Sequence, residues 1–148
     1  RLAQLGLAAS IQPQHAMDDR DVIARFWGTP AGIPYAFNSL HKAGTKLLMG
    51  SDAPVAQLDP WMAISAAVFG TESSDREPFQ PEQCLDFETA LASSTAVGRV
   101  ALRDADAADL VLLDCDPSII DSPEAMRAMP EHVLGTMLAG RWTYQQAE

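Results

Sequence analysis

Two short apolar runs, each ended by turn-forming or polar residues, most constrain the fold of this chain. The first is LAASIQP at residues 7–13, and the second is KLLMG at residues 46–50. Both are too short and too continuous for an amphipathic surface helix, and such runs are typical of strands in a parallel sheet that is buried on both faces. Helical segments separate and follow them. The order strand, helix, strand, helix predicts an α/β fold with a parallel sheet.

The helical segments carry signals at their ends. Asp18 or Asp19 can cap a short helix through DVIARFWG, and Gly44 can stop a helix through YAFNSLHKAG. Asp59 is placed to cap PWMAISAAVFG, and Asp86 precedes FETALASSTAVGRVAL. We therefore expect four helices around the two strands.

After about residue 100 the pattern changes to β-structure. The run ADLVLLD predicts a strand, SPEAMRAMPEH a short helix capped by Ser122, and HVLGTMLAGRWTY a hairpin that turns at Ala-Gly-Arg. This change divides the chain into an α/β part at residues 1–100 and a β-rich tail at residues 101–148.

Charge and cysteine content exclude several classes of function. The net charge of the 148-residue chain is −10, from 10 basic and 20 acidic side chains, which argues against nucleic acid or an anionic membrane as a partner. Cys84 and Cys115 form no CxxC pair, so we expect neither a disulfide framework nor a zinc knuckle, and a reducing cytoplasm is the expected compartment. No apolar stretch approaches the roughly 20 residues that cross a bilayer.

Two polar residues just beyond the predicted strands are the main candidates for chemistry. Asp52 follows KLLMG, and His15 follows LAASIQP. The carboxyl ends of parallel strands share one edge, where a carboxylate can bind a metal or accept a proton from water, and a histidine can bind substrate, an anion or a metal. Asp52 can equally end its strand as an Asx turn, and His15 can be a surface-loop residue.

Other functional motifs are missing from the sequence. There is no HxH, HExxH, GxSxG, P-loop or GxGxxG, and three scattered histidines do not make a metal site by their spacing. His41 is expected on a solvated helix face, and His132 lies far from the predicted strand ends of the α/β part. Cys84 has no histidine near it in sequence, so a catalytic thiol is not expected there.

Four segments together resemble one known family. ASIQPQHAMDD, YAFNSLHKAGTKLLMGSDAPVAQLDPW, ADLVLLDCDP and VLGTMLAGRWTY resemble, in order, the C-terminal part of metal-dependent amidohydrolases. Among these, the segments look like the amidohydrolase family 3 group that includes N-substituted formamide deformylase-like enzymes. The resemblance covers nearly all of the chain, and its most specific stretch is the helix that leads into GSDAPV.

The resemblance implies a fold and a site. The fold would be the last two or so βα units of a (β/α)8 TIM-type barrel plus strands of a small β-sandwich. Asp52 would be a metal ligand or the base, and His15 would line the substrate site or be a supporting ligand. Tyr35 and Asn38 would lie on the helix before the last strand as substrate-binding residues. The full-length parent would use a divalent metal, zinc first, and whether this chain holds one stays open.

We therefore expect this chain to be a C-terminal fragment of an amidohydrolase whose full-length parent acts on a small-molecule amide. The family's early HxH and its middle-strand ligands are missing from this sequence, so we expect the chain alone to be inactive. A partial barrel leaves strand edges and apolar helix faces uncovered, which predicts a homo-oligomer. The alternative is a non-enzymatic acidic α/β module that binds a protein partner or a small ligand.

Overall fold

The α/β part consists of two strands with helices between and after them. The computed structural model describes residues 1–28, 32–96, 98, 100–104 and 106–147. The first unit is strand β1 and helix α1, which a π-helical turn at Ile23–Trp27 extends. The bounds are β1 Ala8–Ile11, α1 Pro13–Val22, α2 Phe37–Lys42, β2 Lys46–Met49, α3 Pro60–Phe69 and α4 Phe87–Ser94.

Strands β1 and β2 pair in parallel, which confirms the predicted sheet direction. The register runs from Ala8 opposite Lys46 to Ile11 opposite Met49. The prediction that both faces are buried is wrong, since Lys46 and alternate residues of β1 are exposed while Ile11 and Leu47 are buried. Successive side chains of a strand point to opposite faces, and the described helices cover one face of this sheet.

Helix α1 begins earlier than the sequence signals suggested. Its first residue is Pro13, which suits a first helical position because proline has no N–H to leave unpaired there. Asp18 and Asp19 therefore lie inside the helix, and the predicted cap at either residue is wrong. The consequence for function is that His15 lies in the first turn of α1 and not in a surface loop.

Helices α3 and α4 begin where the sequence predicted. The Asp59 carboxylate accepts a hydrogen bond from the Trp61 N–H at 2.9 Å, and the Asp86 carboxylate accepts one from the Thr89 N–H at 2.8 Å. Helix α4 ends at Ser94, so the predicted continuation through residue 102 is wrong, although residues 97 and 99 lie outside the described part. The Ser94 hydroxyl donates to the Ala90 carbonyl at 3.1 Å, a side-chain bond that competes with regular helix geometry.

The tail folds as a three-stranded antiparallel sheet with one short helix. The turn between the last two strands falls at Ala139 and Gly140, whose φ angles of 48° and 75° are both left-handed, as two-residue hairpin turns require. Ser122 caps the helix by accepting from the Ala125 N–H at 3.3 Å. Both features confirm the predicted elements. The bounds are β3 Leu110–Leu113, α5 Pro123–Arg127, β4 Val133–Leu138 and β5 Arg141–Gln145.

One hydrophobic core joins the two parts of the chain. Helix α3 packs against α1, against α4 and against α5 of the tail. Ile64 of α3 is 1% exposed, and Met126 and Met129 of the tail are fully buried in the same cluster. The assignment of the two sheets to a barrel and a sandwich, and the boundary near residue 100, stay predictions. Within the described residues, no helix is both long and apolar enough to cross a membrane.

Candidate active site

The parallel register brings the carboxyl ends of β1 and β2 to one edge of the sheet. The Gly50 N–H donates to the Ile11 carbonyl at 3.0 Å, so the pairing continues one residue beyond β2. Helix α1 leaves this edge after β1, and the loop at residues 51–59 leaves it after β2. In parallel α/β folds the loops at this end of the strands converge on ligands.

His15 and Asp52 meet at this edge. The distance from His15 Nε2 to Asp52 Oδ2 is 3.5 Å, and the other ring nitrogen, Nδ1, lies 3.8 Å from Asp18 Oδ2. The His15 side chain is 22% exposed and the Asp52 side chain 62%. A protonated His15 would pair with both carboxylates, and a neutral one can offer a ring nitrogen to a metal or a proton donor. The roles predicted for the two residues stay predictions.

Asp52 has an unusual backbone conformation. Its φ is 58°, in the left-handed region, and its carbonyl accepts a hydrogen bond from the Val55 N–H at 2.9 Å. The neighbouring Ser51 hydroxyl accepts from the Ala53 N–H at 3.3 Å. Aspartate is one of the few residues that tolerate this region. A turn does end the strand here, but the backbone carbonyl of Asp52 and the Ser51 hydroxyl form it, and the Asx turn predicted for the Asp52 side chain has no N–H to accept at Pro54. The turn itself aims the carboxylate at His15, so the turn role and the site role are compatible.

Tyr35 joins the same face of α1 through a different carboxylate. Its hydroxyl donates to Asp19 Oδ2, and Asp19 lies one helical turn after His15. Partial burial, together with this hydrogen bond, raises the pKa of Tyr35 well above its usual value. Tyr35 precedes α2 with a φ of 56°, so the prediction that it lies on the helix is wrong. A bulky residue held at positive φ is a strained conformation of the kind found at functional sites.

Asn38 takes part in hydrogen bonds that join two elements. It lies on α2, as predicted, and its amide donates to the Glu82 carbonyl at 2.9 Å. The adjacent Ser39 N–H donates to the Gln83 side chain at 3.1 Å. These bonds tie α2 to the short 3-10 helix at Pro81–Gln83. The substrate-binding role predicted for Asn38 stays a prediction.

A small cavity lies beside the Asp52 loop. Its volume is about 170 Å³, and Gly50 and Ser51 line it together with residues at the start of α3. A larger cavity of about 850 Å³ lies near the amino end of β2, where Thr45 and Lys46 line it. The smaller cavity is at the carboxyl end of β2, the end at which parallel α/β folds bind ligands, but its lining does not include His15 or Asp52.

Sequence reasoning missed two members of this cluster. The sequence predicts a helix cap at Asp18 or Asp19, whereas both carboxylates interact with candidate residues, Asp18 with His15 and Asp19 with Tyr35. The signal was present as the i, i+3, i+4 spacing of a histidine and two aspartates, which places all three on one helix face once the helix begins at Pro13.

The residues at this edge fit part of a metal site. An imidazole nitrogen and a carboxylate oxygen are both ligands that zinc takes, and Asp18 could orient the imidazole from its other side. A catalytic zinc needs three protein ligands. Among the described residues, no further histidine, cysteine or acidic side chain completes a three-ligand group with His15 and Asp52.

A second cluster lies where β3 ends and β4 begins. Asp114 Oδ1 is 2.8 Å from His132 Nδ1, and Cys115 is beside them. No local sequence motif predicts this group, because the antiparallel pairing of β3 with β4 brings its members together. His132 lies far from His15 and Asp52 in the sequence, and its imidazole contacts a different carboxylate, that of Asp114.

A comparison with protein families agrees with the resemblance at the level of the amidohydrolase family. A family model described as amidohydrolase family matches residues 1–144. Protein LONG AFTER FAR-RED 3 of Arabidopsis thaliana is 30% identical over 155 aligned residues, which cover 97% of this chain and 26% of the relative. The chain thus spans about a quarter of the length of this curated relative. No solved structure matches the chain.

Proposed function

Because this chain belongs to the amidohydrolase family, we propose that it supplies the last part of the active site of a metal-dependent hydrolase that cleaves an amide or related C–N bond. The observation that carries the proposal is the contact between His15 and Asp52 at the carboxyl ends of two parallel strands. The resemblance to the N-substituted formamide deformylase-like branch supports a small-molecule amide as the substrate.

The two residues would have different tasks. Asp52, with its more exposed side chain, would hold the metal or accept a proton at Oδ2 from the attacking water. His15, more buried and flanked by Asp18, would fix the position of the Asp52 carboxylate and line the substrate site. A divalent metal, zinc first, would polarise the substrate carbonyl and lower the pKa of water. Tyr35 and Asn38 would border the substrate.

The chain alone is proposed to be inactive. Even with His15 as a supporting ligand beside Asp52, this chain would supply two protein ligands, and a catalytic zinc usually has three. The remaining ligands would come from further βα units of a longer protein. The proposal therefore concerns one side of an active site, and its test needs a longer reading frame that contains this chain.

The test compares amide hydrolysis by the 148-residue chain and by the longer protein, both supplied with zinc. The substrates are a set of formamides and other N-acyl amines. We expect turnover by the longer protein and none by the 148-residue chain. In the longer protein, Asp52→Asn should lower kcat by about 10²-fold or more, the scale of a lost proton-transfer group. Asp121→Asn is the matched control, because Asp121 is an exposed carboxylate of the tail.

Two outcomes would contradict the proposal. Turnover with stoichiometric zinc at His15 and Asp52 in the 148-residue chain would show that the site is complete without further units. Absence of metal-dependent hydrolysis in the longer protein would instead favour the acidic binding module as the function.

A second copy of the chain is the proposed partner in solution. The uncovered face of the β1–β2 sheet exposes Leu48, and β5 is an exposed edge strand that carries the half-exposed Trp142 and Tyr144. Exposed apolar side chains on sheet faces and edges favour association with another chain. A homo-oligomer would cover these surfaces.

A further inference from the structure

The end of β3 and the start of β4 place a carboxylate, a thiol and an imidazole in one cluster. One possible ligand atom from each of Asp114, Cys115 and His132 lies within 4.8 Å of the other two. The Asp114 N–H donates to the His132 carbonyl at 3.1 Å, and their side chains are 2.8 Å apart. The backbone and side-chain contacts together fix Asp114 and His132 relative to each other.

A buried sulfur lies beneath the cluster. The distance from Cys115 Sγ to Met129 Sδ is 3.8 Å, and Met129 is fully buried in the core. Cys115 itself is half-buried, so its thiol has an apolar side toward the core and a polar side toward Asp114. The thiol donates to Met129 Sδ, and its Sγ still lies within 4.8 Å of a ligand atom of Asp114 and of His132, so it would exchange the sulfur contact for a metal without a large movement.

We propose that Asp114, Cys115 and His132 form a binding site for Zn²⁺ that is separate from the His15 and Asp52 site. Thiolate, imidazole and carboxylate are the three ligand types that zinc takes, and three protein ligands leave one tetrahedral position for water. Magnesium and calcium prefer all-oxygen sites, so the sulfur and nitrogen atoms select against them.

The charges of the cluster fit a divalent cation. The carboxylates of Asp114 and Asp116 flank Cys115 in the chain and attract a cation. Zinc binding forms a Zn–S bond and releases the thiol proton to solvent, with no change in oxidation state.

Zinc at this site would cross-link two strands of the tail. The site joins the end of β3 to the start of β4, next to Met129, which follows α5 and lies in the core. A ligand that binds only the folded state stabilises it by mass action, so zinc should raise the melting temperature of this chain.

Cobalt(II) is the spectroscopic probe, because it replaces zinc and gives a thiolate charge-transfer band when a cysteine binds it. We expect the 148-residue chain to bind one Co²⁺ with such a band, and Zn²⁺ to displace it. Cys115→Ser should remove the band, and His132→Gln should weaken zinc binding by at least about tenfold in calorimetry. Circular dichroism checks that each variant is folded.

Two controls separate this site from the others. Cys84→Ser changes the other free cysteine and should leave the band intact. Asp52→Asn should also leave it intact, so failure of the proposed amidohydrolase site does not affect this result. The inference is overturned if the folded chain binds no Co²⁺ with a thiolate band, or if the band survives Cys115→Ser.

Discussion

His15 Nε2 lies 3.5 Å from Asp52 Oδ2, and the two residues follow different strands of one parallel sheet. The contact exists because β1 and β2 end at the same edge. Neither residue is fully buried, so both remain accessible to a ligand that enters at this edge. The contact supports the proposal that they act together in one site.

The first prediction concerns His15 as a positioning residue. In a longer protein that hydrolyses amides, His15→Gln should lower kcat/KM by about 10-fold to 10²-fold, because the imidazole no longer fixes the Asp52 carboxylate. His41→Gln is the matched control, since His41 lies on the exposed part of α2. Two results would argue against this role of His15. One is a loss of activity in His15→Gln with an unchanged pH profile of kcat, and the other is an equal loss of activity in His15→Gln and His41→Gln.

The second prediction concerns the ionisation of Tyr35. Burial and the hydrogen bond to Asp19 raise its pKa, so its phenol should ionise well above pH 10.0, its ordinary value. The raised pKa means that the stabilising contribution is complete below pH 10.0 and is lost as the pH rises through the folded-state value. An ultraviolet titration of the two tyrosines should show a high-pH step.

Tyr35→Phe supplies the control for that titration. The high-pH step should vanish in this variant, while Tyr144→Phe should retain it. If the step is retained in Tyr35→Phe, the assignment is wrong.

The third prediction concerns acid stability and Glu124. Its two carboxylate oxygens accept hydrogen bonds from the Ser74 N–H at 2.6 Å and the Ser74 hydroxyl at 2.7 Å, and these bonds lower the pKa of Glu124 to about 2. The contribution to stability is therefore complete above pH 4.5, its ordinary pKa, and is lost as the pH falls towards about 2.

Urea unfolding at several pH values measures this effect. Glu124→Gln should unfold at a lower urea concentration than the wild type at pH 7, and the two midpoints should converge in acid. Glu131→Gln changes a nearby exposed carboxylate and should show no such convergence. If the urea midpoints of the wild type and Glu124→Gln stay equally far apart at all pH values, the hydrogen bonds to the ionised Glu124 are not the cause of the difference.

The fourth prediction concerns packing in the antiparallel sheet. A Cβ added at Gly135 would lie 2.8 Å from Trp142 Cζ3 and 3.2 Å from the Tyr144 carbonyl oxygen. Gly135→Ala should therefore lower the free energy of unfolding by about 1–3 kcal/mol and change the tryptophan fluorescence as the ring moves. At Gly50 an added Cβ meets no atom within 4 Å, so Gly50→Ala is the control. Equal stability of the two variants would show that Trp142 moves aside without cost.

The fifth prediction concerns self-association. Light scattering should show a dimer or larger species, and Leu48→Glu should shift it towards the monomer because a charge on the uncovered sheet face opposes burial. Leu48 is 42% exposed on β2, whereas Leu58 is 85% exposed in the following loop. Leu58→Glu is the matched control and should leave the mass unchanged. A monodisperse wild-type monomer at high concentration would contradict the proposal.

Local signals predicted the strands and several helix starts. Asp59, Asp86 and Ser122 cap helices where the sequence placed them, because a cap depends only on side-chain oxygens and N–H groups a few residues away. The start of α1 was missed because Pro13 competed with two aspartates as a signal. The end of α4 was missed because serine hydroxyls that bond to helix carbonyls leave no clear stop in the sequence.

The candidate site was only partly predictable for a related reason. His15 and Asp52 were found because the parallel arrangement of two strands follows from their order and fixes where the residues after them lie. Tyr35 was expected on a helix, and its positive φ is visible only in the folded chain. The pairing of Asp114 with His132 depends on the register of β3 against β4, which no local pattern specifies.

The sequence by itself determined the α/β class, the position of the hairpin turn, the acidic charge and the family resemblance, because these depend on neighbouring residues and on composition. Only the tertiary structure decided which polar side chains meet. It placed Asp18 and Asp19 beside His15 and Tyr35, and it brought Cys115 to Asp114 and His132. The physical reason is that such contacts are set by strand register and helix starts, where a shift of one residue turns a side chain to another face.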